Sequence, residues 1–137
     1  MKSTYKWFLL ISIITVFISS CKSSDDSSTT TSSGLFIAVG GSGTLLTSSD
    51  GTTWTAQTTG TTNALRAVAY DGSSTLVAVG WSGTILTSSD GTTWTSRTSG
   101  TSKNINNVAY GNNKFIVVGD NGTTLYSSDG ITWTDWT

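Results

Sequence analysis

The chain contains three copies of one motif at a nearly fixed spacing. The sequence SGTLLTSSDGTTWT at 42–55 recurs as SGTILTSSDGTTWT at 82–95, with Leu45 replaced by Ile85. A looser copy, NGTTLYSSDGITWT, occupies 121–134. The tryptophans near the end of the motif are 40 and then 39 residues apart. Such a period indicates a repeat architecture in which each copy forms one supersecondary unit, and it divides the chain into repeats at 34–60, 61–100 and 101–137.

Each repeat is built from short apolar runs that alternate with Gly, Asp, Asn and Ser clusters, and no run keeps a helical periodicity. Asp-Gly and Ser-Gly pairs separate the runs, and such turns join antiparallel strands because glycine accepts positive φ. The second repeat therefore predicts a four-stranded antiparallel meander. Its runs are Leu65–Tyr70, Thr75–Gly80, Thr84–Ser88 and Thr93–Thr98.

Four short strands in about 40 residues are typical of a β-propeller blade. In the second run, 76–79 is apolar at consecutive positions, which predicts a strand buried on both faces. The first repeat lacks its first strand, because the aligned residues Ser28, Thr29 and Thr30 carry no apolar side chain. The predicted fold is therefore all-β, with about eleven strands in three blades.

Three blades make an incomplete ring, since propellers close with about four to eight. The two outer blade faces would expose apolar side chains, which favours either a homo-oligomer or packing against further propeller blades.

The repeated motif resembles the Asp-box of sialidase-type (BNR) propellers, Ser-x-Asp-x-Gly-x-Thr-Trp, with one residue fewer between Asp and Gly. The whole repeat is similar to those of photosystem II assembly factor-like propellers. The matched residues in the three copies are Ser49, Asp50, Gly51 and Trp54; Ser89, Asp90, Gly91 and Trp94; and Ser128, Asp129, Gly130 and Trp133.

This resemblance implies a structural role for the box. The aspartate accepts backbone hydrogen bonds in the turn, and the glycine supplies a left-handed conformation. The tryptophan is expected to pack between blades, where it buries on the order of 200 Å². A metal-binding or catalytic role for the three aspartates is the less favoured alternative.

The N-terminus predicts a secretion signal. Lys2 and Lys6 precede an apolar run at 7–18, which is too short for a comfortable membrane span. The run ends in Ile-Ser-Ser-Cys21, which resembles a bacterial lipobox. We therefore expect a lipoprotein signal peptide at 1–20 and lipidation of Cys21, the sole cysteine. The alternatives are an ordinary signal peptide or a short anchor helix with an incidental cysteine.

The segment 21–33 is predicted to be a disordered tether. Lys22–Ser33 has no apolar residue and cannot offset the entropy of ordering. Its charged start resembles the sorting signals of some surface lipoproteins. We therefore expect the protein to lie in the bacterial cell envelope, attached through its lipid to a membrane, with the outer membrane or cell surface favoured.

Composition excludes several function classes. The chain has no His and no Glu, and residues 21–137 carry five Lys or Arg against eight Asp, a net charge of −3. Scattered cations give no patch for nucleic acid. We expect no metal site, no cofactor and no enzymatic activity. A sialidase-like hydrolase is a distant alternative, because a sialidase uses three arginines and a Tyr/Glu pair, whereas this chain has two arginines.

Differences among otherwise similar repeats mark a candidate binding face. Trp81, Asp120 and Asn121 stand in the turn between the second and third strands, where the first repeat has Gly-Ser. The connections 59–63 and 99–104 are predicted to lie on the same face, and Arg66 and Asn106 occupy equivalent places at the start of the first strand. Together these residues predict a site for a carbohydrate or protein ligand. The alternative is that these are exposed turn residues that bind no ligand.

The favoured function is therefore a membrane-anchored lipoprotein that presents propeller blades as a non-catalytic binding or scaffolding module. The alternative is a partial repeat fragment of a larger propeller that has no ligand of its own.

Overall fold

The fold is that of a computed structural model, which describes residues 14–16 and 34–136. These residues form twelve strands and two short 3-10 turns, at Gly41–Gly43 and Asp120–Gly122. The strands are β1 Ile14–Val16, β2 Phe36–Val39, β3 Leu45–Ser48, β4 Thr55–Ala56, β5 Leu65–Tyr70, β6 Leu76–Gly80, β7 Ile85–Ser88, β8 Thr95–Arg97, β9 Ile105–Gly111, β10 Lys114–Gly119, β11 Thr124–Ser127 and β12 Thr134–Asp135. Among the described residues, no helix is long and apolar enough to cross a membrane.

The strands form three antiparallel sheets, each a meander in chain order. Blade 1 is β1–β4, blade 2 is β5–β8 and blade 3 is β9–β12. Adjacent strands pair as hairpins, as in blade 2, where Val79 pairs with Ile85 and Leu86 pairs with Ser96. The pairing of the first two strands shifts register once in blade 2 and once in blade 3. The predicted all-β architecture of three propeller blades is confirmed.

Blade 1 differs from the prediction in its first strand. The prediction gives this blade three strands, whereas Ile14–Val16 pairs antiparallel with β2, with Ile14 opposite Val39 and Val16 opposite Ile37. The strand thus comes from the predicted signal peptide, and the aligned positions 28–30 lie outside the described residues. The edge of β2 offers unpaired backbone groups, and an Ile-Thr-Val sequence has high strand propensity. Cleavage after residue 20 and the tether at 21–33 stay predictions.

Two apolar layers hold the blades together. One lies between blades 1 and 2 and includes Ile37, Leu45, Leu65 and Leu86. The other lies between blades 2 and 3 and is made of ten buried residues with Trp133 packed against them. Strand β6 is buried along its whole length, as its continuous apolar sequence predicts. Its side chains alternate, so that Leu76 and Ala78 join the first layer while Val77 and Val79 join the second.

Each linker between blades packs against a glycine in the preceding blade. The carbonyl oxygen of Thr61 lies so close to Gly43, and that of Thr101 so close to Gly83, that a Cβ at either glycine would overlap the oxygen. Both glycines also have positive φ, 70° and 68°. The linker between blades 2 and 3 is also held by a backbone hydrogen bond, because the N–H of Gly83 donates to the carbonyl oxygen of Lys103 at 2.8 Å. Glycine is therefore required at both positions, because there is no space for a Cβ and because φ is positive.

Candidate functional site

The box forms the same hydrogen-bonded turn in all three blades. In blade 2, the Ser88 hydroxyl donates to Asp90 Oδ1 at 2.9 Å and accepts from the N–H of Gly91 at 2.8 Å. Asp90 Oδ1 also accepts from the N–H groups of Thr92 and Thr93, each at 2.8 Å. The corresponding serine–aspartate bonds are 2.9 Å in blade 1 and 2.8 Å in blade 3. Each carboxylate therefore fastens the turn that follows the third strand.

The serines of this turn are not the ones predicted. Ser49, Ser89 and Ser128 are exposed, and the hydrogen-bonding residues are the preceding Ser48, Ser88 and Ser127. The preceding serine ends the third strand, as Ser88 ends β7. Alternation along the strand directs it inward, toward the turn backbone. The assignment of the box serine is therefore corrected by one residue in every copy.

The hydrogen bonds of the turn hold its carboxylates in the ionised form. Donation by the N–H groups of Thr53 and Thr52 lowers the pKa of Asp50 far below its ordinary range, and those of Thr93 and Thr92 do the same for Asp90. In blade 3, the N–H groups of Thr132 and Ile131 lower the pKa of Asp129 to about 2. Within the described residues, no group of three or more His, Cys, Asp or Glu is placed to hold a metal.

The box tryptophans share one contact. Each indole N–H donates to the carbonyl oxygen of the box glycine, at 3.2 Å for Trp54, 3.0 Å for Trp94 and 3.0 Å for Trp133. Trp94 is 9% exposed and belongs to the layer between blades 1 and 2. Trp54 and Trp133 are half-buried. The satisfied N–H leaves the ring carbons free to make apolar contacts.

A polar network lies on the opposite end of the blades, around Asp120. The side-chain amides of Asn106 and Asn104 donate to its two carboxylate oxygens, at 2.8 Å and 2.9 Å. The side-chain oxygen of Asn104 accepts from the backbone N–H of Ser82 at 3.1 Å. Since Ser82 belongs to blade 2 and the others to blade 3, this network joins two blades. We call these four residues the cross-blade network.

Electrostatics keep Asp120 charged within this network. Hydrogen bonds from Asn106 and Asn104 lower the pKa of Asp120, and attraction to the Arg66 guanidinium lowers it further. Three predicted residues, Arg66, Asn106 and Asp120, are thus brought together. Arg66 and Asn106 lie on β5 and β9, the first strands of neighbouring blades, and Asp120 lies in the 3-10 turn after β10.

Trp81 stands beside the network on the turn after β6. Its side chain is 47% exposed. The turn is fixed by the backbone, because the Trp81 N–H donates to the carbonyl oxygen of Ala64 at 2.9 Å. The next residue, Ser82, has φ of 55° and makes the contact with Asn104. An exposed indole is thus held on a rigid turn next to a charged, hydrogen-bonded cluster.

Asn104 belongs to the predicted face only as the last residue of the connection 99–104, and it was not singled out as a binding residue. It stands where the second repeat has Ala64, so the signal was a polar residue at a position that is apolar in the preceding copy. Asn121, by contrast, was singled out as a binding residue and is not a member of the cross-blade network. It follows Asp120 in the 3-10 turn and lines a cleft between blades 2 and 3.

Comparison with known proteins supports the fold alone. No model of a protein family matches the chain, and no curated protein matches it. A solved structure of YCF48 bound to a D1 peptide superposes with a TM-score of 0.63 over 74% of this chain, at 21% sequence identity. This chain spans 36% of the YCF48 chain. YCF48 is a β-propeller, so the likeness agrees with the three blades described above.

Proposed function

We propose that this protein is a non-catalytic binding module of the bacterial cell envelope, anchored by a lipid on Cys21. It presents to a protein ligand the surface formed by Trp81, Arg66 and the cross-blade network, which we call the Trp81–Asp120 face. The observation that carries this proposal is the cross-blade network, in which Asn104 links Asp120 to the backbone N–H of Ser82, the residue that follows the exposed Trp81. The propeller fold of YCF48, solved with a bound peptide, gives additional support for a polypeptide ligand.

The chemistry of the face suits recognition of a polypeptide. Exposed tryptophan and arginine side chains contribute most to protein interfaces, because they combine large contact area with hydrogen-bonding or charged tips. Trp81 and Arg66 are both exposed here. A rigid turn and a network with satisfied hydrogen bonds lower the ordering cost on binding. The face thus has an apolar anchor, an anion and a cation within a preorganised frame.

A non-catalytic role is proposed because the residues of the face lack an evident proton-transfer pair. Both Asp120 oxygens accept hydrogen bonds from amides that do not titrate. The chain has no histidine or glutamate to serve as a second acid or base. The box aspartates are committed to their turns.

Binding is tested on arrays of synthetic dodecapeptides that cover the envelope proteins of the producing cell. We expect discrete peptides to bind, and we expect Trp81→Ala to abolish their signal. Trp136→Ala is the matched control, because Trp136 is 55% exposed, follows β12 and is not a member of the cross-blade network. Equal loss in both variants, or no bound peptide, would contradict a ligand site at Trp81.

Anchoring is tested separately by fractionation of cells that express the full chain. Wild type is expected in the membrane fraction with a lipid-modified N-terminus. Cys21→Ala is expected to release the protein or block cleavage of its signal, since the chain has no other thiol. A Cys21→Ala variant processed and membrane-bound like wild type would overturn the lipoprotein proposal without affecting the peptide result.

A second candidate is a partial propeller that is completed by further blades. The favouring observation is Gly122 in blade 3, the counterpart of Gly43 and Gly83. No described atom lies within 4 Å of a Cβ built on Gly122, whereas linker carbonyls cover the other two. Val118, in the last blade, is 46% exposed although its counterpart Val79 is fully buried. Light scattering of the full chain tests this candidate: a defined oligomer supports it, and a stable monomer contradicts it.

A further inference from the structure

A cleft opens between blades 2 and 3, separate from the cross-blade network. Its volume is about 380 Å³, and the linker 99–103 and the outer strands of blade 3 line it. Small-molecule sites in proteins measure about 300–1,000 Å³, so the cleft is large enough for a compact ligand. We call it the blade 2–3 cleft.

The repeat provides an internal comparison for this cleft. Between blades 1 and 2, the side-chain amide of Asn63 reaches across from the linker and donates to Thr84 Oγ1 at 2.9 Å. In the next copy the threonine is kept as Thr123, but Lys103 stands in the place of Asn63. Lys103 is exposed and lines the cleft with Thr123. The substitution therefore removes a bridging amide and adds a cationic donor at the rim.

The floor of the cleft is apolar. Leu125, which is 4% exposed, and Trp133 form it. Trp133 is half-buried, whereas its counterpart Trp94 is 9% exposed. Because the indole N–H of Trp133 already donates to the Gly130 carbonyl oxygen at 3.0 Å, the ring offers carbon surface to a ligand. The cleft thus presents part of an aromatic ring that the preceding copy buries.

The rim is polar and electrically balanced. Lys103 contributes ammonium donors, Asp135 carboxylate acceptors, and Asn121 an amide with both. All three side chains are exposed. Because the rim carries one cation and one anion, it has no net charge that would favour an ionic ligand. Such a rim around an aromatic floor matches a molecule with apolar C–H faces and several hydroxyl groups.

We propose that the blade 2–3 cleft binds a neutral saccharide. A sugar ring packs its C–H face on Trp133, and its hydroxyls exchange hydrogen bonds with Lys103, Asn121 and Asp135. This site is independent of the polypeptide ligand proposed for the Trp81–Asp120 face.

The test uses nuclear magnetic resonance of the full folded chain, with cellobiose and di-N-acetylchitobiose as probes. We expect a saturable shift of the Trp133 indole N–H resonance with at least one disaccharide, and none of the Trp54 resonance. Lys103→Asn, which restores the residue of the first linker, is expected to weaken binding about tenfold, the effect of losing one hydrogen bond to a charged group. Asn63→Lys is the matched control and is expected to leave this affinity unchanged.

Asn121→Gly is a second test, because it removes the amide and keeps a residue that accepts the positive φ of 54°. It is also expected to weaken binding. Thermal melts verify that each variant folds, and Trp81→Ala is expected to bind the disaccharide like wild type. The proposal is overturned if neither disaccharide gives a saturable shift, if Lys103→Asn and Asn121→Gly both bind like wild type, or if zwitterionic diglycine binds more tightly than both sugars.

Discussion

Ser88 donates a hydrogen bond of 2.9 Å to Asp90, and the same pair forms at the same place in each of the other two blades. The pair does more than close a turn. Ser88 Oγ also accepts from the buried N–H of Gly91, so one hydroxyl satisfies a backbone donor and fixes the carboxylate that accepts two more. The serine and the aspartate together therefore satisfy three backbone N–H groups of the turn.

Replacement of Ser88 by alanine is expected to destabilise the protein by about 1–3 kcal/mol, because the buried Gly91 N–H loses its acceptor. The neighbouring Ser89 is exposed, and Ser89→Ala is expected to change stability by less than about 0.5 kcal/mol. Urea unfolding of the two variants measures the difference. If Ser89→Ala were the more destabilising of the two, the box register described here would be wrong.

Acidification is expected to weaken the fold through the turn carboxylates. Backbone hydrogen bonds from Thr132 and Ile131 lower the pKa of Asp129 from 3.8 to about 2. Between these values the unfolded chain binds more protons than the folded chain, so the free energy of unfolding falls as pH falls. This contribution is complete above about pH 4 and is lost on descent toward about pH 2.

Thermal melts across that interval measure the effect, with Asp129→Asn as the control. The amide does not titrate, so the variant is expected to lose less stability on acidification than wild type, although it starts from a lower value. An identical slope in both proteins would show that Asp129 does not carry the acid sensitivity.

Two tryptophans have different environments: Trp94 packs between blades, whereas Trp81 is exposed on a turn. Trp94 is 9% exposed in the layer between blades 1 and 2, and Trp94→Ala is expected to cost about 3–5 kcal/mol by leaving a cavity. Trp81 is 47% exposed on its turn, and Trp81→Ala is expected to cost about 0.5 kcal/mol. Chemical denaturation ranks the two. The opposite order would contradict the placement of these residues in the blade.

The sequence predicted the blades well, because the repeat and its turns are local signals. Asp-Gly turns and short apolar runs determine the hairpins, and the continuous apolar run of β6 indicated burial on both faces. The box serine was assigned one residue late because two serines are adjacent in every copy. The spacing Ser-x-Asp selects Ser88 over Ser89, and the hydrogen bond from Ser88 to Asp90 agrees with that spacing.

The candidate site was predicted in part. Arg66, Asn106 and Asp120 were selected by comparing equivalent positions, and they lie together because the repeats place those positions on one end of neighbouring blades. Asn104 was placed on this face only as the end of a connection, because the comparison of turns does not show that it bonds both to Asp120 and to Ser82 of the preceding blade. Likewise, Ile14–Val16 pairs with β2 because that edge of the sheet is available, and the repeat spacing does not predict this pairing.

The linker glycines provide the sharpest test of whether the propeller continues. Gly83 and Gly122 are counterparts with similar φ, 68° and 76°. Alanine at either position is strained by about 1–2 kcal/mol in this left-handed conformation. At Gly83 the new methyl group would also overlap the carbonyl oxygen of Thr101, whereas among the described residues nothing lies within 4 Å at Gly122. The two substitutions therefore differ only in the linker that covers the glycine.

In the isolated chain, Gly83→Ala is expected to lower the free energy of unfolding by clearly more than Gly122→Ala, whose cost should stay near the strain of about 1–2 kcal/mol. The measurement is urea unfolding at low protein concentration. It is repeated at high concentration, where a second copy would supply a further blade whose linker covers Gly122. If the cost of Gly122→Ala then rises toward that of Gly83→Ala, the chain continues its propeller by self-association. Unchanged costs at both concentrations would contradict self-association through blade 3.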